Sequence, residues 1–229
     1  DKIAILSGLA FGGSIDRSSI PTKGISNLKE IDIDYANQLG YEIKLIAIAE
    51  NLVNQQEINS SIPLALSVGP TLVPNSHPLF GVLGVNNAIL IEGEPIGEVM
   101  FYGPGAGSGP TASAVVADIL NIVGIKLMQV KGNSIDPLLS PSSWRDCFLA
   151  NPRNFSNKHY IRLITADAPG VIGEIGKIFG QHQVSIQSIV QFDSSNSKAE
   201  IIVITHEVNE GKISDSLSKI EEFKDVFEI

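Results

Sequence analysis

The sequence predicts an α+β chain of two units, a mixed-sheet domain over residues 1–125 and a βαββαβ domain of ferredoxin-like type over 158–229. Three observations predict it. Apolar and β-branched runs of strand length dominate from Glu42 to Tyr102, with helical stretches on either side. Residues 126–157 lose that periodicity and carry Pro137, Pro141 and Pro152 among scattered Ser and Asn, the composition of a linker. From Lys158 the pattern restarts as strand, helix, strand, strand, helix and strand.

Taken in order, Lys2 to Phe11 reads as a helix ended by Gly12 and Gly13. It is already under way at Asp1, so the chain is expected to be the downstream piece of a longer one. Ser14 to Ile25 is irregular, and Glu30 to Leu39 reads as a short helix stopped by Gly40. Strands follow at Glu42–Ala49, Ser61–Leu72, Asn86–Ile91 and Ile96–Tyr102, the last two joined by the turn Glu92-Gly93-Glu94-Pro95. Pro110 to Val123 is a helix with apolar residues nearly all round, the mark of a helix buried against another domain. In the second unit the strands are His159–Thr165, Val184–Phe192, Ala199–Glu207 and a short one near Val226. The helices are Val171–Gln181 and Ile213–Glu222.

Composition bounds the function. With 43% hydrophobic and only 18% charged residues the chain can bury real cores and is not disordered. A formal charge of −9 works against holding a polyanion, so nucleic acid is not an expected partner. A single cysteine, Cys147, rules out an internal disulfide framework and suits a reducing cytoplasm. His77, His159, His182 and His206 have no short ligand spacing, so no metal site is expected. No uncharged apolar run approaches the roughly 20 residues that span a bilayer, and no signal peptide opens the chain. A soluble, cytoplasmic protein is expected, with no membrane partner.

The glycine-crowded turn after the fourth strand carries the strongest chemical hint. Gly103, Gly105, Gly107 and Gly109 lack Cβ atoms, so the backbone can take positive φ and approach a ligand, and Pro110 and Thr111 suit a helix start. A helix start offers free N–H groups to an anionic or polar ligand. The spacing is not that of a G-x-G-x-x-G fingerprint, because Ser108 stands at the last glycine position. Asp16, Arg17, Glu30, Asp32, Asp34 and Lys44 read as solvated charges. Asn86 and Asn87 read as turn geometry, and Trp144 as a residue docking the linker onto a domain.

Longer motifs say more. Thr71-Leu-Val-Pro-Asn-Ser-His-Pro-Leu79, Val85-Asn-Asn-Ala-Ile-Leu-Ile-Glu-Gly93, Phe101-Tyr-Gly-Pro-Gly-Ala-Gly107 and Pro110-Thr-Ala-Ser-Ala-Val-Val-Ala-Asp118 stand in one register with Lys2-Ile-Ala-Ile-Leu6, Leu9-Ala-Phe-Gly12, Asp32-Ile-Asp-Tyr-Ala36 and Leu39-Gly-Tyr-Glu-Ile-Lys-Leu45. Together they closely resemble the catalytic half of monofunctional bacterial homoserine dehydrogenases, over residues 1 to about 124. The loop Asp167-Ala-Pro-Gly-Val171 before a helix, with Ser185-Ile-Gln-Ser188 in the next strand, resembles an ACT domain.

The resemblance implies reversible hydride transfer between NADP (or NAD) and aspartate semialdehyde, giving homoserine. It implies that Lys2 is the proton donor. Gly107 matches the family's cofactor-contacting glycine, and Gly105 and Gly103 belong to the same returning loop. The nucleotide-binding half of such an enzyme is missing here, as are the family's aspartate four residues before the lysine and its glutamate further upstream; Asp1 matches neither acidic position. The chain alone is therefore expected to be inactive. The ACT-like tail implies an amino-acid effector, L-threonine, at Asp167, Gly170 and Val171, in a homodimer or homotetramer. A different class of reading is a non-catalytic amino-acid-sensing module attached to a dimerisation domain.

Overall fold

The computed structural model describes residues 1–52, 61–130, 146–193 and 197–229. Pro137, Pro141 and Trp144 lie outside the described residues. Helix α1 (Lys2–Phe11) ends at Gly12, which takes the left-handed conformation at φ 76° and donates its N–H to Gly8 O at 2.9 Å. One face of α1, with Ile3, Ala4 and Phe11, packs on a sheet through Ile20, Ile62, Leu64 and Leu66.

That sheet is built from β1 (Tyr41–Asn51) and β2 (Ser61–Pro74), antiparallel from Tyr41 opposite Pro74 to Asn51 opposite Leu64. Each strand runs two residues beyond the apolar run that marks it at one end, because ladder pairing holds Glu50, Asn51, Val73 and Pro74. Residues 146–157, expected to be linker, are partly ordered instead. Strand β5 (Asp146–Leu149) joins β2 in parallel, Ile62 opposite Cys147 and Leu64 opposite Leu149, and makes the sheet mixed. A second hairpin pairs β3 (Asn86–Gly93) with β4 (Gly97–Pro104).

Helix α3 (Ser108–Val130) follows, and its described side chains are exposed apart from half-buried Gly124 and Ile125. The apolar stretch read as Pro110 to Val123 is thus longer than expected and uncovered within this chain. By length and composition alone it is apolar enough to cross a membrane, although it is not an uncharged run, since Asp118 and Lys126 lie within it.

In the second unit β6 (Ser156–Asn157) leads into β7 (Tyr160–Ala166), α4 (Val171–Gln181), β8 (Ile186–Asp193), β9 (Lys198–Thr205), β10 (Val208–Asn209), α5 (Glu210–Glu221) and β11 (Val226–Glu228). The sheet order is β11-β7-β9-β8, every neighbour antiparallel. Strand β7 alternates strictly, burying Ile161, Leu163 and Thr165. Helices α4 and α5 close that face over a core of Ile175, Phe179, Ile201, Val203, Ile213 and Ile220.

The opposite face is covered by α2 (Glu30–Gln38) of the first unit. Arg162 Nε donates to Asp32 Oδ1 at 2.7 Å, and Tyr160 OH to the same oxygen at 3.1 Å. Lys29 N donates to Asp32 Oδ2 at 3.1 Å, fixing the carboxylate at the helix start. Tyr35 OH donates to Glu200 Oε2 at 2.8 Å, and its ring stacks on Phe192 at 4.1 Å between centroids. Lys29 pairs with Glu228 at the rim. Asp32 and Lys44 are therefore not the solvated charges expected. Asp32 is 7% exposed, and Lys44 is held by Glu42 at 3.0 Å and by Val82 O at 2.8 Å.

Burial works against the Arg162 charge, but its bond to Asp32 together with the negative charges of Asp32, Glu200 and Glu228 outweighs it and raises the guanidinium above its ordinary value. Burial, then the bond to Glu200, pushes the Tyr35 phenol up to about 12. Truncating one partner of a buried pair strands the other charge. Arg162→Ala should cost about 3 kcal/mol in urea unfolding of the chain, and Asp32→Ala with Arg162→Ala should recover part of that.

His159, just before β7, is lowered by burial; Glu210 at 3.7 Å opposes this in part, and Lys23 adds to it. With the folded value depressed, the unfolded chain takes the proton first, so stability is full above about pH 6.5 and falls as pH drops through it. Urea midpoints at about pH 7.5 and 5.5 should show that fall, and His159→Gln should reduce it.

Candidate active site

Three places carry the residues singled out by the sequence. Lys2 stands in the first turn of α1, exposed, with Ile5 and Leu6 one turn on and Leu9 two turns on. Ile5 and Leu9 are 65% and 61% exposed, so the lysine sits at the end of an apolar stripe that this chain leaves open. The opposite face of the helix is the one pressed on the sheet. Asp1 pairs with Arg17 rather than with Lys2.

The turn between β4 and α3 is shaped by two of its glycines for different reasons. Gly107 has φ 120°, and its carbonyl accepts from Thr111 N at 3.1 Å, closing the first turn of α3. Gly105 donates its N–H to Val85 O at 3.0 Å, and a Cβ there would lie 1.8 Å from Asn87 Nδ2 and 2.4 Å from Asn87 Cγ. Asn87 also donates to Val85 O at 3.3 Å, and it faces Gly103 across the hairpin. So Asn87, in the strand expected to begin at Asn86 and read there as turn geometry, also rests its amide against the Gly105 backbone. Around Gly103 and Gly109 the Cβ positions meet only open space. A bare turn of this kind at the start of a long helix fits a polar or anionic group laid against backbone N–H donors.

The third place is a cavity of about 190 Å³ lined by Thr165, Asp167, Gly170, Val171, Gln191 and Ile201 among others. Gly170 is the N-cap of α4 at φ 94°, a conformation that suits glycine, and the first turn of α4 leaves its N–H groups toward the loop. Asp167 is positioned by its own N–H to Ser197 O at 3.0 Å and accepts from Gln191 Nε2 at 3.2 Å. The structure thus gathers Asp167, Gly170 and Val171 at one site and Gly103, Gly105 and Gly107 at another, with Lys2 on a separate helix. Sequence reasoning missed Gln191. It lies three positions beyond Ser188 on β8, and only the pairing of β8 with β9 brings it to the loop. A larger cavity of about 240 Å³ runs beside Ser19, Pro21, Leu66, Leu149, Asn151 and Phe155 and has no charged lining. Among the described residues no group of three His, Cys, Asp or Glu side chains could hold a metal ion.

Comparison with known proteins matches residues 1–120 to the profile of the homoserine dehydrogenase family, more than half of the chain. The chain belongs to the homoserine dehydrogenase family. Residues 159–225 match the ACT domain, as the loop before α4 leads one to expect. The homoserine dehydrogenase of Synechocystis sp. is 45% identical over 229 residues, all of this chain and 52% of that protein. That of Bacillus subtilis is 34% identical, covering 100% of this chain and 50% of its own length. A crystal structure of the Thiobacillus denitrificans homoserine dehydrogenase superposes over 99% of this chain and 50% of that one, with a TM-score of 0.88 at 33% identity. The chain therefore spans about half the length of the homoserine dehydrogenases it matches, and within that half its α+β architecture with a terminal ACT domain is theirs.

The Gly105–Asn87 contact generates a test. Gly105→Ala should destabilise the chain by about 1–3 kcal/mol, the usual cost of overpacking, and adding Asn87→Ala should restore most of the loss, because the clashing atoms all lie beyond the Asn87 Cβ. Melting temperatures of the two single variants and the double variant decide it.

Proposed function

We propose that this chain is the carboxyl-terminal half of an NAD(P)H-dependent homoserine dehydrogenase. The reaction is the reversible reduction of L-aspartate 4-semialdehyde to L-homoserine, on the route to threonine, methionine and isoleucine. Residues 1–125 form the catalytic and dimerisation domain, 126–157 the connection, and 158–229 the ACT regulatory domain, which reads L-threonine. The observation that carries this reading is the end-to-end match to homoserine dehydrogenases of twice the length, joined to two apolar surfaces that the chain leaves open, on α1 and on α3. A nucleotide-binding half supplied by the longer protein covers them. On this reading α3 is a buried interdomain helix rather than a membrane span, in a cytoplasmic homodimer or homotetramer.

When bound, the nicotinamide supplies the hydride. The turn of Gly103, Gly105 and Gly107 would hold the cofactor, Gly103 by its open backbone, Gly105 by its close seat on Asn87, which sets the path of the turn, and Gly107 by its positive φ at the entry to α3. The work of the chain itself falls to Lys2. As an aldehyde carbon is reduced its oxygen gains negative charge, and an ammonium within hydrogen-bond reach stabilises that charge and delivers a proton to the oxygen. In the reverse direction the neutral amine takes the hydroxyl proton. Ile5, Leu6 and Leu9, once covered, keep water from the lysine and the reacting carbonyl. Covering the stripe therefore closes the site.

In the full-length enzyme Lys2→Ala should lower kcat by about 10²–10⁴-fold, the usual worth of a positioned acid or base, with KM for the semialdehyde much less affected. NADPH oxidation followed spectrophotometrically measures it, and wild-type kcat in the variant would remove Lys2 from the mechanism.

A further inference from the structure

The effector cavity and the grip on α2 lie back to back on adjacent rungs of one β-ladder. Gln191 pairs with Ile201, and both line the cavity on the helix-covered face. On the next rung Phe192 pairs with Glu200, and these two hold Tyr35 on the other face, one by ring stacking and one by a 2.8 Å hydrogen bond. One peptide unit along β8 and one along β9 thus separate a small-molecule cavity from the first unit.

We infer that Tyr35 is the positioning residue through which occupancy of the cavity reaches the catalytic unit. This rests on the reading of the cavity as an amino-acid site. An α-amino acid there brings an ammonium to the Asp167 carboxylate and a carboxylate to the N–H groups at the start of α4. The ammonium competes with the Gln191 amide for Asp167 Oδ1, a side-chain bond that ties the loop to that rung. Gln191 cannot move without Phe192, and Phe192 carries the Tyr35 ring. Helix α2 then passes through Gly40 directly into β1, which is paired along its length with β2. Leu64 and Leu66 of β2 lie in the core on which α1 rests, and α1 carries Lys2. Every link is a covalent neighbour, a ladder pair or a packed contact.

Coupling of this kind is reciprocal: substrate must change the affinity for the effector by the factor by which effector changes that for substrate. The test uses the full-length enzyme and titrates L-threonine by calorimetry with and without saturating homoserine, in wild type, Tyr35→Phe and Phe192→Leu. Tyr35→Phe removes only the hydroxyl bonded to Glu200, and Phe192→Leu only the stacked ring. Both should still bind threonine and keep basal kcat within about 2-fold. The homoserine-induced shift in threonine affinity, about 5-fold or more in wild type, should fall toward unity. Lys29→Ala, which removes the rim pair to Glu228 away from these rungs, should keep the wild-type shift. A full shift in both rung variants, or its loss in Lys29→Ala as well, overturns the role of Tyr35. No threonine binding by wild type at millimolar concentration removes the effector reading itself, and this inference with it.

Discussion

A four-stranded sheet has two faces, and in the second unit the helices α4 and α5 cover only one of them. The other carries Tyr160, Arg162, Glu200 and Ile202, and the buried Asp32–Arg162 pair decides what covers it. Ion pairs at this depth add little net stability, since desolvating both charges offsets most of their attraction. The stabilisation comes from apolar area, with Ile202 1% and Ile204 4% exposed, each worth about 2 kcal/mol when buried. What the pair contributes is choice. An arginine presented from the middle of β7 is costly under any helix that lacks a carboxylate at the matching position, and α2 offers Asp32 with Tyr35 one turn on, along the same face. The two units are thereby held in one orientation.

How much of this was legible in the sequence follows from how local each cause is. The βαββαβ order could be read because β7 alternates on its own, β8 and β9 are short runs rich in Ile and Val, and the Asp167-Ala-Pro-Gly170 turn announces the helix that follows. Helices α1 and α2 could be read because Gly12 and Gly40 end them. Asp32 could not be placed, because its partner Arg162 lies 130 residues away and nothing in the local pattern separates a carboxylate waiting for a guanidinium from a solvated one. The same holds for Gln191 and for the bond from Lys44 to Val82 O, whereas the Lys44–Glu42 pair lies two residues apart on one strand. Strand β5 escaped because a four-residue run has no period to detect and its parallel pairing to β2 is wholly non-local. Among the glycines of the turn, a general rule about positive φ proved right for Gly107 alone, while Gly105 is required by the amide of Asn87, a neighbour no spacing rule points to.

Periodicity also tells what a helix is made of without telling what it lies against. An apolar circumference on α3 was the reason to expect burial, yet the described side chains of the helix are exposed except around Gly124 and Ile125, and α1 shows half of the same condition. Large contiguous apolar surface on water is unfavourable and marks an interface. That the proposed proton donor and the proposed cofactor turn each adjoin one of the two bare helices has a simple physical sense. Hydride transfer needs a dry site, and a site placed where two units meet is dried by the same contact that holds them together.

The position of the ACT domain raises the question of how a ligand bound on one side of a sheet could matter on the other. Successive side chains along a strand point to opposite faces, so the shortest route through a sheet is one residue, about 3.3 Å of chain. A helix has no such shortcut, since positions on opposite faces are two residues apart and its interior is filled by its own backbone. The antiparallel β8–β9 ladder adds stiffness, because each rung is tied to its partner and cannot shift alone. Placing the cavity on the rung of Gln191 and the Tyr35 contact on the rung of Phe192 therefore joins two surfaces by the least deformable path the fold contains, and α2, clamped by Asp32 at one end and Tyr35 along its length, is the element positioned to register it.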